Sequence, residues 1–305
     1  MVMAMLSAAD ETVSELPRYE EFAIDRRIAQ CGRLPSLGSI NQALNKLLSS
    51  DGNFGGEVSD VIRRDPSLTA RLLRLVNSVY FGLPSRVERI EEAVLYLGVR
   101  QIRQLALVTP VIADFEKLTA DTPFRWRDFW HHCLGTAILA GDLARNPEAE
   151  DDELEYVCGL VHDVGKIVMA STFPDHFVEI HRRAAEGEVA LMQLENEILG
   201  MDHAELGARY LEAQQLPEEI IEATRHHHQP AEAGENAHRA AAVALADLCI
   251  RSADLGFSGN LEEVEPDAWR ESPDWEALAA PDKAAVMSRI AERLGRLRAI
   301  VECAI

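Results

Sequence analysis

Apolar residues recur every three or four positions along most of the chain from Phe22 onward, the spacing of helices that bury one face. After a break at Leu34-Pro35-Ser36-Leu37, Ile40, Leu44, Leu47 and Leu48 resume it. Asp51-Gly52-Asn53-Phe54-Gly55-Gly56 reads as a turn, with no Gly-Lys-Ser/Thr behind it to make a phosphate loop. Asp65-Pro66 opens a helix, the Asp as N-cap and the Pro at the first helical position. Leu68, Leu72, Leu75, Val76 and Val79 form its buried stripe, and Asn77-Ser78 closes it. Ile90 to Leu97, Gly98, and Val99 to Val108 read as helix, tight turn, helix.

Asp121-Thr122-Pro123 marks a boundary. Beyond it the pattern predicts helices over Trp126 to Leu143, Glu153 to Ala170, Val178 to Glu186 and Val189 to Ile198. Others run from Asp202 or His203 to about Gln214, from Leu216-Pro217 to His226-His227-His228, over Ala240 to Ser252, and over Lys283 to Glu302. Gly256 to Pro281 reads as a long irregular connection. No Val/Ile/Thr alternation is long enough for a sheet. The expected class is all-α, with two packed helical subdomains and a C-terminal extension. Their bounds are an acidic tail at 1–21, frayed up to about Arg18, subdomains at 22–120 and 121–252, and the extension at 253–305.

Charge narrows the partners. The chain has 305 residues and a formal net charge of -21. It repels nucleic acid and anionic membranes unless it carries a local basic patch. The second helix of the Ile90 to Val108 pair, the only candidate for a DNA-reading element, offers just Arg100 and Arg103. No nucleic-acid or membrane partner is therefore expected. No apolar run approaches the length of a membrane span, and no basic residue precedes the apolar stretch at the start. Five scattered cysteines without a Cys-x-x-Cys read as reduced thiols in a cytoplasmic protein, Cys133 and Cys158 as small buried hydrophobes.

The chemistry gathers on Leu160-Val161-His162-Asp163-Val164-Gly165-Lys166, where a carboxylate sits in an apolar run. A carboxylate in a core is costly unless its charge is compensated. A metal ion held by His and Asp compensates it; so does a salt bridge from Asp163 to Lys166, or a helix-capping role. Asp247, among Val243, Ala244, Leu245, Ala246 and Leu248, poses the same problem. His132 lies mid-helix, His203 at a helix start, and His227-His228 near a helix end. His131 and His226 suit surface or supporting roles, and His176, His181 and His238 are expected to be solvent-exposed.

The segment from Trp130 to Ser252 resembles the HD superfamily of metal-dependent phosphohydrolases, on His132-Cys133-Leu134, Gly159 to Lys166, His203 and Asp247. Arg64-Asp65-Pro66-Ser67-Leu68-Thr69, Leu72 to Ser78 and Glu92 to Gly98 resemble the first half of HDOD (HD-related output) domains. Leu216-Pro217 and His227-His228-Gln229-Pro230 resemble the second half, so the similarity runs over about 22 to 252. It implies a bacterial signalling module that acts through a protein partner or small ligand. The runner-up is an active phosphohydrolase on a nucleotide or phosphoester. The resemblance further implies one metal at His132, His162, Asp163 and Asp247. In two-metal relatives Asp163 bridges to a second ion at His203, His227 and His228, and Lys166 contacts a substrate phosphate. Such a site neutralises phosphate oxygens and activates a water. Imidazole with carboxylate suits iron, manganese, nickel or zinc. Gln229-Pro230 stands where the HD-GYP phosphodiesterases carry Glu, and no Gly-Tyr-Pro follows, which speaks against that class.

Overall fold

The computed structural model describes residues 16–31, 87, 122, 124–144, 153–187, 189–280 and 282–304. The turn at Asp51, the Asp65-Pro66 helix, Asn77-Ser78 and the Ile90 to Val108 helix pair lie outside the described residues. Among the described residues the protein is all-α, with no strand.

Helix α1 (Glu21–Ile28) is followed, across the undescribed span, by α2 (Trp126–Leu143), bounded as its periodicity predicts. α2 is apolar around its whole circumference, the mark of a helix inside a core. Every residue from Cys133 to Leu143 is buried, and α3 (Glu153–Val161) and α9 (Ala237–Ser252) pack against it. α11 (Lys283–Ala304) covers its far end, where Arg293 pairs with Asp142 at 2.9 Å.

The predicted single helix over Glu153 to Ala170 is two. α3 ends at Val161, His162-Asp163 form a turn, and α4 (Val164–Thr172) resumes at once. Both halves are apolar, so the pattern reads through the break. The turn takes the His162 and Asp163 side chains off the helical face and leaves them inside the core. α5 (Pro174–Ala184) and α6 (Leu191–Ile198) then lead to α7 (His203–Ala213) and α8 (Glu218–Arg225). The connection expected to be irregular contains a 3₁₀ turn at Ala268–Glu271 and α10 (Asp274–Leu278), whose Trp275 donates to the Trp269 carbonyl at 2.7 Å.

Asp202 caps α7 by accepting the Glu205 N–H at 3.0 Å, which sets His203 as the first helical residue. Loss of such a cap costs about 1 kcal/mol. Asp202→Ala is therefore expected to lower stability by roughly that amount in urea titration, without moving the rest of the fold.

Two expectations need correction. The end of the tail read as frayed is docked: Tyr19 N–H bonds to the Leu199 carbonyl at 3.0 Å, and Arg27 stacks over the Tyr19 ring. His176, expected in solvent, is buried against this segment and donates to the Pro17 carbonyl at 3.0 Å. His181 is packed between Phe177 and Phe124 rather than exposed, and His238 is half-buried. Local sequence does not show this burial, because Pro17 and Phe124, which cover His176 and His181, lie far from them along the chain. Among the described residues no helix is long and apolar enough to cross a membrane.

Candidate metal centre

All eight residues singled out by the sequence come together at the meeting of α2, α4, α7, α9 and the turn after α8. His132 reaches in from α2 and Asp247 from α9. His162 and Asp163 arrive from the turn before α4, Lys166 from its first turn, and His203 from the start of α7. His227 and His228 follow α8.

The ligand atoms fall into two sets around Asp163. In the first, His132 Nε2 lies 3.1 Å from Asp247 Oδ1 and 3.4 Å from His162 Nε2, and Asp163 Oδ2 lies 3.4 Å from His162 Nε2. In the second, His203 Nε2 lies 2.9 Å from His228 Nε2 and 3.3 Å from Asp163 Oδ1. His227 Nε2 is 3.8 Å from the same oxygen. Ligand atoms about 2.1 Å from one shared ion stand roughly 3.0 to 3.4 Å from each other, and most of these separations fall there. The two Asp163 oxygens thus face different sets.

The donor set fits divalent cations on its own chemistry. Asp163 Oδ1 and His227 Nε2 are buried without a hydrogen-bond partner. Native interiors leave few such atoms, and an ion is one of the explanations for them. His162 Nδ1 donates to the Gly159 carbonyl at 2.8 Å, and His227 Nδ1 to the Thr224 carbonyl at 2.7 Å. A carbonyl only accepts, so in the neutral rings the Nε2 lone pairs face the site. Burial pushes both imidazoles toward the neutral form, His227 to about 3. Burial alone would raise the carboxyls. Lys166 and the histidines outweigh it at Asp163, and His132 and Arg251 do so at Asp247, holding both well below the usual range. Neutral imidazoles beside ionised carboxylates are the protonation states that bind metal.

Glu195 is a member of this centre that the sequence reading missed. It is fully buried on α6, and its Oε2 accepts both His203 Nδ1–H at 2.6 Å and the His203 backbone N–H at 3.0 Å. A carboxylate behind a ligating histidine fixes the ring and raises its basicity. The available signal was an acid on the apolar stripe of α6, eight residues before His203. Glu195→Gln is expected to weaken uptake of the second ion by about 10- to 100-fold, measured by metal titration, while the helical content stays unchanged.

Lys166 resolves the alternatives left open at Asp163. Its Nζ donates to Asp163 Oδ2 at 2.7 Å and to the Ser258 carbonyl at 3.0 Å. The salt bridge is therefore real, but it occupies only one carboxylate oxygen. Asp163 is the residue before α4, yet its side chain makes no capping hydrogen bond.

Two glycines bring the pieces into register. A Cβ on Gly165 would lie 1.8 Å from the His203 carbonyl oxygen, so only Gly lets α4 and α7 approach this closely. Gly256 adopts φ +83, and a Cβ there would lie 2.4 Å from the His132 nitrogen. This lets the following loop dock on α2, with Phe257 N–H bonded to the Asp128 carbonyl at 2.9 Å. His131 and His226 stay outside the two sets; they pair with Asp128 and Glu222.

A cleft of about 160 Å³ opens onto the centre, bordered by Asp163, Lys166, His203, His227, His228 and Asp247. The HDOD domain family model matches residues 34–230, nearly two thirds of the chain. The chain belongs to the HDOD domain family. This HDOD protein is 28% identical over 265 residues to an uncharacterized protein of Treponema pallidum, a match covering 83% of this chain and 50% of the relative. It thus spans about half the length of that curated relative. It is similar in fold to an HDOD domain protein with unknown function from Geobacter sulfurreducens. That match has a TM-score of 0.72 and 26% identity, covering 99% of this chain and 96% of the other. A Shewanella amazonensis protein provisionally called a phosphohydrolase shares the fold at a TM-score of 0.68 and 21% identity, over 93% of this chain and 98% of its own.

Proposed function

We propose that this HDOD protein is a bacterial signal-transduction module whose HD-type centre holds one or two divalent cations, and that it works by binding a small ligand or a protein partner. The observation that carries the metal reading is Asp163. One of its oxygens faces His132 and His162, whose rings also meet Asp247, while the other, without a hydrogen bond, faces His203 and His227. His132, His162, Asp163 and Asp247 would hold the first cation, and His203, His227 and His228 the second, with Asp163 between them. The cations would supply charge neutralisation for an anionic ligand.

A binding role suits the surroundings. Apart from the histidines, Lys166 and Arg251 are the cleft's basic groups among the described residues, and Lys166 already donates to Asp163 and Ser258. Asp163, Asp247 and Glu262 line the same cleft and repel a phosphate-rich substrate unless cations are present. The second reading, a phosphohydrolase, is favoured by one specific observation: Asp163, His203, His227, His228 and Asp247, five of the seven candidate ligands, border the open cleft.

A substrate screen separates the two. Manganese-loaded protein is expected to hydrolyse an activated aryl phosphate slowly, and to leave cyclic dinucleotides and nucleoside phosphates without efficient turnover. A kcat/KM above about 10⁴ M⁻¹s⁻¹ on any of them, absent from Asp163→Ala, would establish the hydrolase in its place.

A further inference from the structure

The Ser258 to Glu262 loop lies beyond residue 230, where the family match ends, yet it forms a wall of the cleft. Ser258 carries the carbonyl that takes Lys166, and Glu262 faces Arg251. We infer that Arg251 is the anion-recognition residue of this site, that the ligand is a small oxyanion of phosphate type, and that Glu262 holds the guanidinium until such an anion arrives. The inference rests on the metal reading above, because the cleft attracts anions only when cations offset its three carboxylates.

Arg251 differs from two other arginines of similar burial in what its guanidinium meets. Arg209 and Arg225 are about as buried as Arg251, with side chains 21%, 20% and 18% exposed. Arg209 spends its donors on Glu205, Asp25 and Glu21 at 2.6 to 3.0 Å. Arg225 bonds Glu205, Glu212 and Glu222. Arg251 makes no hydrogen bond among the described residues. Its nearest carboxylates are Asp247 Oδ2 at 3.7 Å and Glu262 Oε2 at 4.0 Å, beyond hydrogen-bond reach. A guanidinium in a cleft with no hydrogen bond among the described residues offers a fork shaped for a planar or tetrahedral oxyanion.

Its setting favours the same ligand. Arg251 lies one helical turn after Asp247 on α9, so an anion in its fork would sit beside the first metal set. Ala190, Leu191 and Met192, the N-cap and first turn of α6, also line the cleft, and no side chain caps the helix there. Free backbone N–H groups and the positive end of the helix dipole favour an anion there. Asp163 Oδ1 and His227 Nε2, buried and without hydrogen bonds, mark the cation site that such an anion would sit against. The cleft, about 160 Å³ and open on one side, has room for a phosphate or compact phosphomonoester. Glu262 is 57% exposed on a loop, free to swing away when a better anion takes its place.

The test uses inorganic phosphate and full-length, manganese-loaded protein, reading phosphate binding from the paramagnetic broadening of its ³¹P resonance and manganese content from the same samples. Arg251→Gln is expected to keep its manganese and weaken phosphate binding at least tenfold, with Arg251→Lys recovering part of the loss. Glu262→Gln, a surface change that leaves folding intact, is expected to tighten binding several-fold. Phosphate affinity within twofold of wild type in Arg251→Gln overturns the inference, as does weaker binding in Glu262→Gln or loss of manganese on changing Arg251. Wild type that takes up no manganese contradicts the metal reading itself, and this inference with it. Manganese retained without phosphate binding contradicts this inference alone.

Discussion

Gly165→Ala is expected to destabilise the protein by at least about 3 kcal/mol and to abolish metal uptake in whatever fraction still folds. The added methyl would meet three backbone atoms: the His203 carbonyl oxygen at 1.8 Å, the His203 carbonyl carbon at 2.7 Å and the Gly207 nitrogen at 2.8 Å. Backbone cannot turn aside as a side chain does, so α4 and α7 must separate. That separation pulls Asp163 from His203, now 3.3 Å apart across the same contact, and so divides the two ligand sets. Urea denaturation and metal analysis check both halves of the expectation. A variant with the wild-type midpoint and wild-type metal content would mean that α4 and α7 do not touch at Gly165.

Asp163→Ala is expected to cost about 3–5 kcal/mol in the metal-free protein, apart from its effect on metal. It leaves Lys166, itself 3% exposed, with only the Ser258 carbonyl as partner. Removing one member of a buried pair strands the charge of the other. Adding Lys166→Met to Asp163→Ala should therefore restore most of the stability and none of the metal binding. Recovery of metal binding in the double variant would show that Asp163 serves Lys166 alone.

The sequence made the site legible because its chemistry is conspicuous against its background. His132 and Asp247 stand in mostly apolar stretches of their helices, and His162-Asp163 interrupts an apolar run. Such residues need partners, and the only economical arrangement brings them to each other. The helix bounds of α2 were legible for the same reason, since its apolar surround and its flanking polar turns agree. The break between α3 and α4 was not, because periodicity carries through a two-residue turn when both sides are buried. Glu195 was not singled out because one acid on a helix reads as surface until His203, eight residues on, is seen folding back over it. Arg251 and Ser258 depend on the loop after α9, whose course follows from the left-handed turn at Gly256 and its contact with α2, not from local pattern. The burial of His176 likewise depends on Pro17, 159 positions away.

Seven of the eight converging residues, all but Lys166, are expected to hold divalent cations around Asp163. Elemental analysis of protein purified without chelator and without a nickel column tests it most directly. One or two equivalents of iron, manganese, nickel or zinc per chain are expected in the wild type, and none in Asp163→Ala/Lys166→Met, whose fold should persist. Wild type that stays empty after incubation with saturating manganese, iron, nickel and zinc would contradict the claim and leave a cluster held by hydrogen bonds and the Asp163–Lys166 pair.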